Sequence, residues 1–108
     1  NNKKIYFSDD TNKNRIYSLN TDNDSVSPYY DANSYMVDMQ GIYLYYIDLD
    51  KNYSLMRFNT SNKTVELLYT PNVGKVVSIN VYGNKLFFLF VVYSHKRRFY
   101  IFIYPNPT

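Results

Sequence analysis

Apolar and aromatic residues fall in short runs separated by clusters of Asn, Asp, Ser and Lys. The runs are Ile5–Ser8, Arg15–Leu19, Ser25–Tyr30, Tyr35–Met39, Ile42–Ile47, Tyr53–Phe58, Thr64–Tyr69, Val76–Tyr82, Lys85–Tyr93 and Arg98–Tyr104. Most are rich in β-branched or aromatic residues, and the polar clusters between them have turn chemistry. This pattern predicts strands joined by hairpins. In Val76–Tyr82 the alternation is explicit: Val77, Ile79 and Val81 share one face, Ser78 and Asn80 the other. Gly83-Asn84 suits a tight hairpin turn, which favours positive φ. Pro28 in the fourth-strand run predicts a sheet edge. No stretch holds a capped 3.6-residue apolar period, so no helix is expected.

The runs recur at a fixed spacing. Leu44-Tyr45-Tyr46-Ile47-Asp48 matches Ile5-Tyr6-Phe7-Ser8-Asp9, and Leu55-Met56-Arg57-Phe58-Asn59 matches Ile16-Tyr17-Ser18-Leu19-Asn20, both at 39 residues (44 − 5, 55 − 16). Gly83 and Leu86 follow Gly41 and Leu44 at 42, and Phe99–Phe102 follows Leu55–Phe58 at 44 (99 − 55). A period near 40 with four strands per unit is that of a propeller blade. The expected architecture is all-β, with antiparallel four-stranded blades in about two and a half β-propeller-like repeats, partial or open. The copies span approximately 1–30, 35–70 and 75–104 of one region, 1–108, expected to belong to a longer chain. The first copy supplies three strands, the middle one four and the last three. That leaves an edge at Ile5–Ser8 and another at Arg98–Tyr104, and edges of this kind recruit further strands, so either a homo-oligomer through them or completion of the blade by neighbouring sequence is expected.

Composition narrows the chemistry. With 45% hydrophobic and 19% aromatic residues, the 108-residue chain can support a core. There is no cysteine, which excludes disulfides, zinc–thiolate sites and a thiol nucleophile. The longest apolar run, Leu86–Tyr93, falls far short of the roughly 20 residues of a membrane helix, so no membrane insertion is expected. The net charge of +3 is accounted for by Lys96, Arg97 and Arg98; a single basic turn argues against nucleic-acid binding.

The segments Ile5-Tyr6-Phe7-Ser8-Asp9, Arg15–Asp22 and Ser78–Phe88 resemble YWTD-type propeller repeats of the low-density-lipoprotein-receptor kind. They are most similar to an uncharacterised bacterial family of receptor-like propeller domains rich in Tyr and Asn. Asp9 and Asp48 match the motif Asp, Phe90 replaces it in the third copy, and Phe7, Tyr46 and Phe88 stand where Trp is usual. The resemblance implies a binding or scaffolding propeller, extracellular or on a cell surface, and implies no activity.

Candidate site residues are few. His95 is the only histidine and has no clustered carboxylate, Cys or second His, so a solvated turn explains it better than general-base chemistry does. Lys96, Arg97 and Arg98 could meet an anionic partner, or simply blunt an edge. Tyr29 and Tyr30, in the weakest strand, are the tyrosines expected to be exposed to a partner. Asp48, Asp50 and Asn52 begin like a calcium loop, but Tyr53 and Asn59 occupy the positions of its glycine and distal glutamate, so they read as turn formers. No catalytic or cofactor motif occurs, and neither a metal nor a cofactor is expected. The expectation is a non-enzymatic binding or scaffold module with a protein or glycan partner. The alternatives are a structural segment of a larger cell-wall or polysaccharide-acting enzyme and, more weakly, a small hydrolase. Any ligand is expected at the end carrying the second-to-third-strand hairpins and the inter-unit linkers Asp31–Ser34 and Thr70–Gly74.

Overall fold

The computed structural model describes residues 3–9, 11, 13, 15–71, 75–82, 85–93 and 97–105. They form ten β-strands and no helix. These are β1 (Lys4–Asp9), β2 (Arg15–Asn20), β3 (Val26–Tyr30), β4 (Ser34–Gln40), β5 (Tyr43–Asp48), β6 (Ser54–Asn59), β7 (Val65–Tyr69), β8 (Lys75–Tyr82), β9 (Lys85–Tyr93) and β10 (Arg97–Pro105). They pair into three antiparallel sheets, β1-β2-β3, β4-β5-β6-β7 and β8-β9-β10. Each sheet is open. β1 and β10 are edge strands, and β3, which carries Pro28, is another. β10 includes Pro105, expected to lie beyond it; an edge strand tolerates a missing N–H.

The first two sheets are built alike. The bounds of β1, β2 and β3 reappear in β5, β6 and β7 displaced by 39 residues (43 − 4, 54 − 15, 65 − 26). The register slip between Ile16 and Tyr17 reappears between Leu55 and Met56. The turns also correspond. Asn20 Oδ1 accepts from the Asp22 N–H as Asn59 Oδ1 does from Ser61, and Asn23 Oδ1 accepts from Ser25 as Asn62 does from Thr64. The Thr21 hydroxyl donates to the Lys3 carbonyl, and the Thr60 hydroxyl to that of Ile42. Asp24 and Lys63 take the left-handed conformation at φ 59° and 66°. The Asn-Thr-x-Asn run is therefore turn machinery: each side chain satisfies a main-chain group that four-residue hairpin loops leave free.

The sheets stack face against face, and strand alternation decides which residues meet. Along β5, Leu44 and Tyr46 turn to the first sheet, where they bury with Met56 and Phe58 of β6 against Ile16, Ala32, Tyr6, Tyr29 and Tyr30. Tyr45 and Ile47 turn the other way, with Leu55, Leu68, Tyr69 and Ile79 of the third sheet. The middle sheet is covered on both faces, which is why β5 and β6 are buried almost throughout. Its outer strand β7 is not: Val65 and Leu67 are exposed.

Two small polar residues are also buried in full. Ser34, at the start of β4, shares a 3.0 Å hydroxyl contact with Ser8, and Ser54, at the start of β6, one of 2.8 Å with Thr70. Each pair supplies donor and acceptor at once, so neither hydroxyl is stranded away from water.

Candidate functional site

The connection from β3 to β4 and the β1–β2 and β5–β6 hairpins meet at one end of the stack. The β5–β6 hairpin is two tight turns in series. Lys51 N–H donates to the Asp48 carbonyl (3.2 Å) and Ser54 N–H to that of Lys51 (3.1 Å). Asp48 Oδ1 accepts from the Asp50 N–H at 2.9 Å, an Asx turn. Asn52 and Tyr53, the central residues of the second turn, both have positive φ, at 58° and 59°. Two successive left-handed residues match the twist of a hairpin; the usual choice is Asn-Gly, and a tyrosine there is uncommon. Tyr53 packs against the Tyr45, Ile47 and Leu55 cluster, which offsets that conformational cost.

The linker is tied to this hairpin. Leu49 N–H donates to the Asn33 carbonyl at 2.7 Å, and the Asn33 amide to Asp50 Oδ1 at 3.0 Å. Asp31 accepts from Arg15 Nε at 3.2 Å. Between hairpins and linker lies an open cleft of about 550 Å³, lined by Lys13, Asp31, Ala32, Asn33, Asp48, Asp50 and Lys51. Its carboxylates, ammonium groups and amide can accept from and donate to a hydroxylated or zwitterionic surface. Among the described residues no group of three His, Cys, Asp or Glu is placed to hold a metal. Nearby, the Thr11 hydroxyl and N–H both donate to Asp9 Oδ1 (2.6 and 3.0 Å) and hold its carboxyl below the usual pKa.

Tyr29 and Tyr30 are not where they were expected. Both are half-buried between the first two sheets. Tyr29 makes edge contacts with Tyr6 (4.9 Å) and Phe58 (5.9 Å); Tyr30 lies 4.5 Å from Phe58 and 5.9 Å from Tyr46. Their expected exposure is corrected: a short edge strand can still turn one face into an interface. One exposed handle remains, since Lys63 reaches the Tyr29 hydroxyl (3.3 Å) and ring (5.1 Å). Burial raises the Tyr46 hydroxyl pKa far above the phenol value, with Tyr30 and Asp48 adding to it. Burial, with Tyr29, likewise raises that of Tyr6.

His95 and Lys96 lie outside the described residues. Arg97 opens β10 opposite Tyr93, and Arg98 follows opposite Val92. Sequence reasoning placed a ligand at this end and read Asp48 and Asp50 as turn formers, but did not single out Lys13, Asp31, Asn33 or Lys51. The available signal was topological: in antiparallel sheets, hairpins of the same rank and the inter-sheet linkers share an end.

The middle sheet also holds a buried cation. Arg57, 5% exposed, lies opposite Glu66 on β7, which accepts from its Nε at 2.8 Å, and its guanidinium sits 4.1 Å from the Tyr43 ring centroid. Burial alone would lower the arginine pKa; bonds to Glu66 and Tyr45 raise it above the free value. Glu66 is 54% exposed, so the pair connects the core to solvent.

No protein-family model matches the chain, and no curated protein matches it in sequence. Among the described residues no helix is long and apolar enough to cross a membrane.

Proposed function

We propose that this chain is a segment of a β-propeller-like scaffold whose blade ends form a non-enzymatic binding surface of a surface or secreted protein, with a protein or glycan as partner. The propeller reading is supported by the 39-residue displacement shared by strands, register slips and turn bonds, and by sheets stacked face to face. The binding reading rests on one observation: the cleft that gathers Lys13, Asp31, Asn33, Asp48, Asp50 and Lys51 from two hairpins and a linker. Open, polar and charged with both signs, it suits a partner bearing hydroxyls or paired charges rather than an apolar small molecule.

Screening the chain on a glycan array and against extracellular protein fractions is the direct test. A ligand found this way should lose about tenfold or more in affinity to the pair Lys13→Glu and Asp50→Lys, a loss of ~1.4 kcal/mol. A ligand bound equally well by that variant would place the site elsewhere and remove the cleft from the proposal.

A further inference from the structure

The second sheet has a strand that the first lacks. Its β5, β6 and β7 are the counterparts of β1, β2 and β3, and β4 pairs antiparallel to β5, from Ser34 opposite Asp48 to Gln40 opposite Tyr43. Displaced by 39, the β5 positions that β4 pairs with are Asp9, Ser8, Tyr6, Ile5 and Lys4 of β1. Among the described residues β1 pairs only with β2. Its other side is therefore an edge, and an edge offers main-chain N–H and C=O groups to a further strand.

Stacking marks the same place. β8 opens the third sheet as β4 opens the second, and the register slips in both, between Val76 and Ser78 and between Tyr35 and Asp38. β8 packs against β4, β5 and β6 of the second sheet. β4 packs against β1 and β2, the counterparts of β5 and β6, and among the described residues no strand of the first sheet stands where β4 would. The floor of that place is apolar. Val37 and Met39 of β4 pack against the cluster of Ile16, Leu44 and Tyr46, and both remain half-buried. The Ser8–Ser34 hydroxyl contact fixes β1 on β4 at one end. Because β4 is the last strand of its sheet, the floor is one strand wide. It fits a single extended segment. It gives no support to a strand that arrives with its own sheet attached, which is what an edge of a second copy would bring.

We infer that the open edge of β1, floored by Val37 and Met39, is a docking groove for an extended segment of a partner protein, which adds as a fourth strand antiparallel to β1. The form of the occupant follows from continuity with the β4–β5 pairing. Tyr6 and Ser8 turn toward the second sheet, so the segment's residues opposite them meet the floor. The partner carries apolar side chains at those alternate positions. Main-chain bonds supply the affinity and the floor supplies the selectivity. The groove shares no residue with the cleft, so the two proposals are tested separately.

The probe is a short capped peptide of alternating valine and threonine with a lysine at each end, labelled and titrated with the chain by fluorescence anisotropy. Saturable binding with Kd below about 1 mM is expected. Two further peptides carry N-methyl groups, one on its valines and the other on its threonines. Alternate N–H groups of a strand point to opposite sides, so one of the two, and only one, should lose at least about tenfold in affinity. Met39→Lys in the chain should weaken the parent peptide by about tenfold or more; if that variant fails to fold, the methylated pair decides. Amide hydrogen exchange then locates the peptide. It should slow exchange in β1 and leave the edge strands β3, β7 and β10 as they were. Absence of saturable binding, equal losses from both methylated peptides, binding unchanged by Met39→Lys, or protection at another edge would overturn the inference. So would β1 amides already protected in the free chain when sedimentation shows a dimer, since the edge would then belong to a second copy.

Discussion

The first and second sheets share strand lengths, register slips and turn bonds, yet Ile5 is 53% exposed where its counterpart Leu44 is fully buried. Local structure here does not require burial on both faces: hairpins with the same Asn and Thr bonds form in both sheets. Burial comes from the neighbour. The second sheet has one on each face, the first among the described sheets only on one. Alternating apolar residues therefore build the strand and specify which face will accept a neighbour, and the neighbour then supplies the stability.

The largest test of that contrast is truncation at paired positions. Leu44→Ala should cost about 2–5 kcal/mol in chemical denaturation, as buried leucines do, and Ile5→Ala less than about 1 in dilute solution. Equal losses would mean that the first sheet's outer face is covered in solution even at low concentration. A smaller effect separates the two sheets at Arg57 and Glu66, whose counterparts are Ser18 and Ser27, paired across the strands in the same way. Glu66→Ala should cost about 1–2 kcal/mol, because it strips the carboxylate from a buried guanidinium while Tyr43 and Tyr45 remain. Ser27→Ala should stay within about 0.5. Combining Arg57→Met with Glu66→Ala should cost less than Glu66→Ala alone, since no buried charge is then left without its partner. The smallest effect should abolish the contrast. Asn20→Ala and Asn59→Ala each remove an acceptor from the same turn, and each should cost about 1 kcal/mol, agreeing within ~0.5. Divergent values would show that the turns, too, feel the difference in packing.

Much of this was legible in the sequence. Ten strands, their grouping as three, four and three, and the 39-residue displacement follow from alternation and from the Asn- and Asp-rich turns. Strand ends differ by a residue or so, because polar residues such as Lys4, Asn20 and Asn59 pair in the ladder though they look like turn. The placement of Tyr29 and Tyr30 was not legible: Ser25–Tyr30 alternates poorly, and only the neighbouring sheet makes their positions interior. The Arg57–Glu66 pair was hidden for a related reason, since cross-strand partners nine residues apart are set by turn length and a register slip. The cleft was half visible. Its end of the stack followed from topology, whereas the bond from Asn33 to Asp50 depends on how the linker lies.

Asp24 and Lys63 adopt the same left-handed conformation at the same place in their turns, and their charges are opposite. The backbone there asks for a torsion that costs most residues about 1–2 kcal/mol, glycine nothing and aspartate less than most, and asks nothing of the functional group. Both side chains are exposed. The turn's own main-chain and asparagine bonds do not involve either charged group, so surface charge here can be rewritten without disturbing the turn, at Lys63 at the cost of its contact with Tyr29.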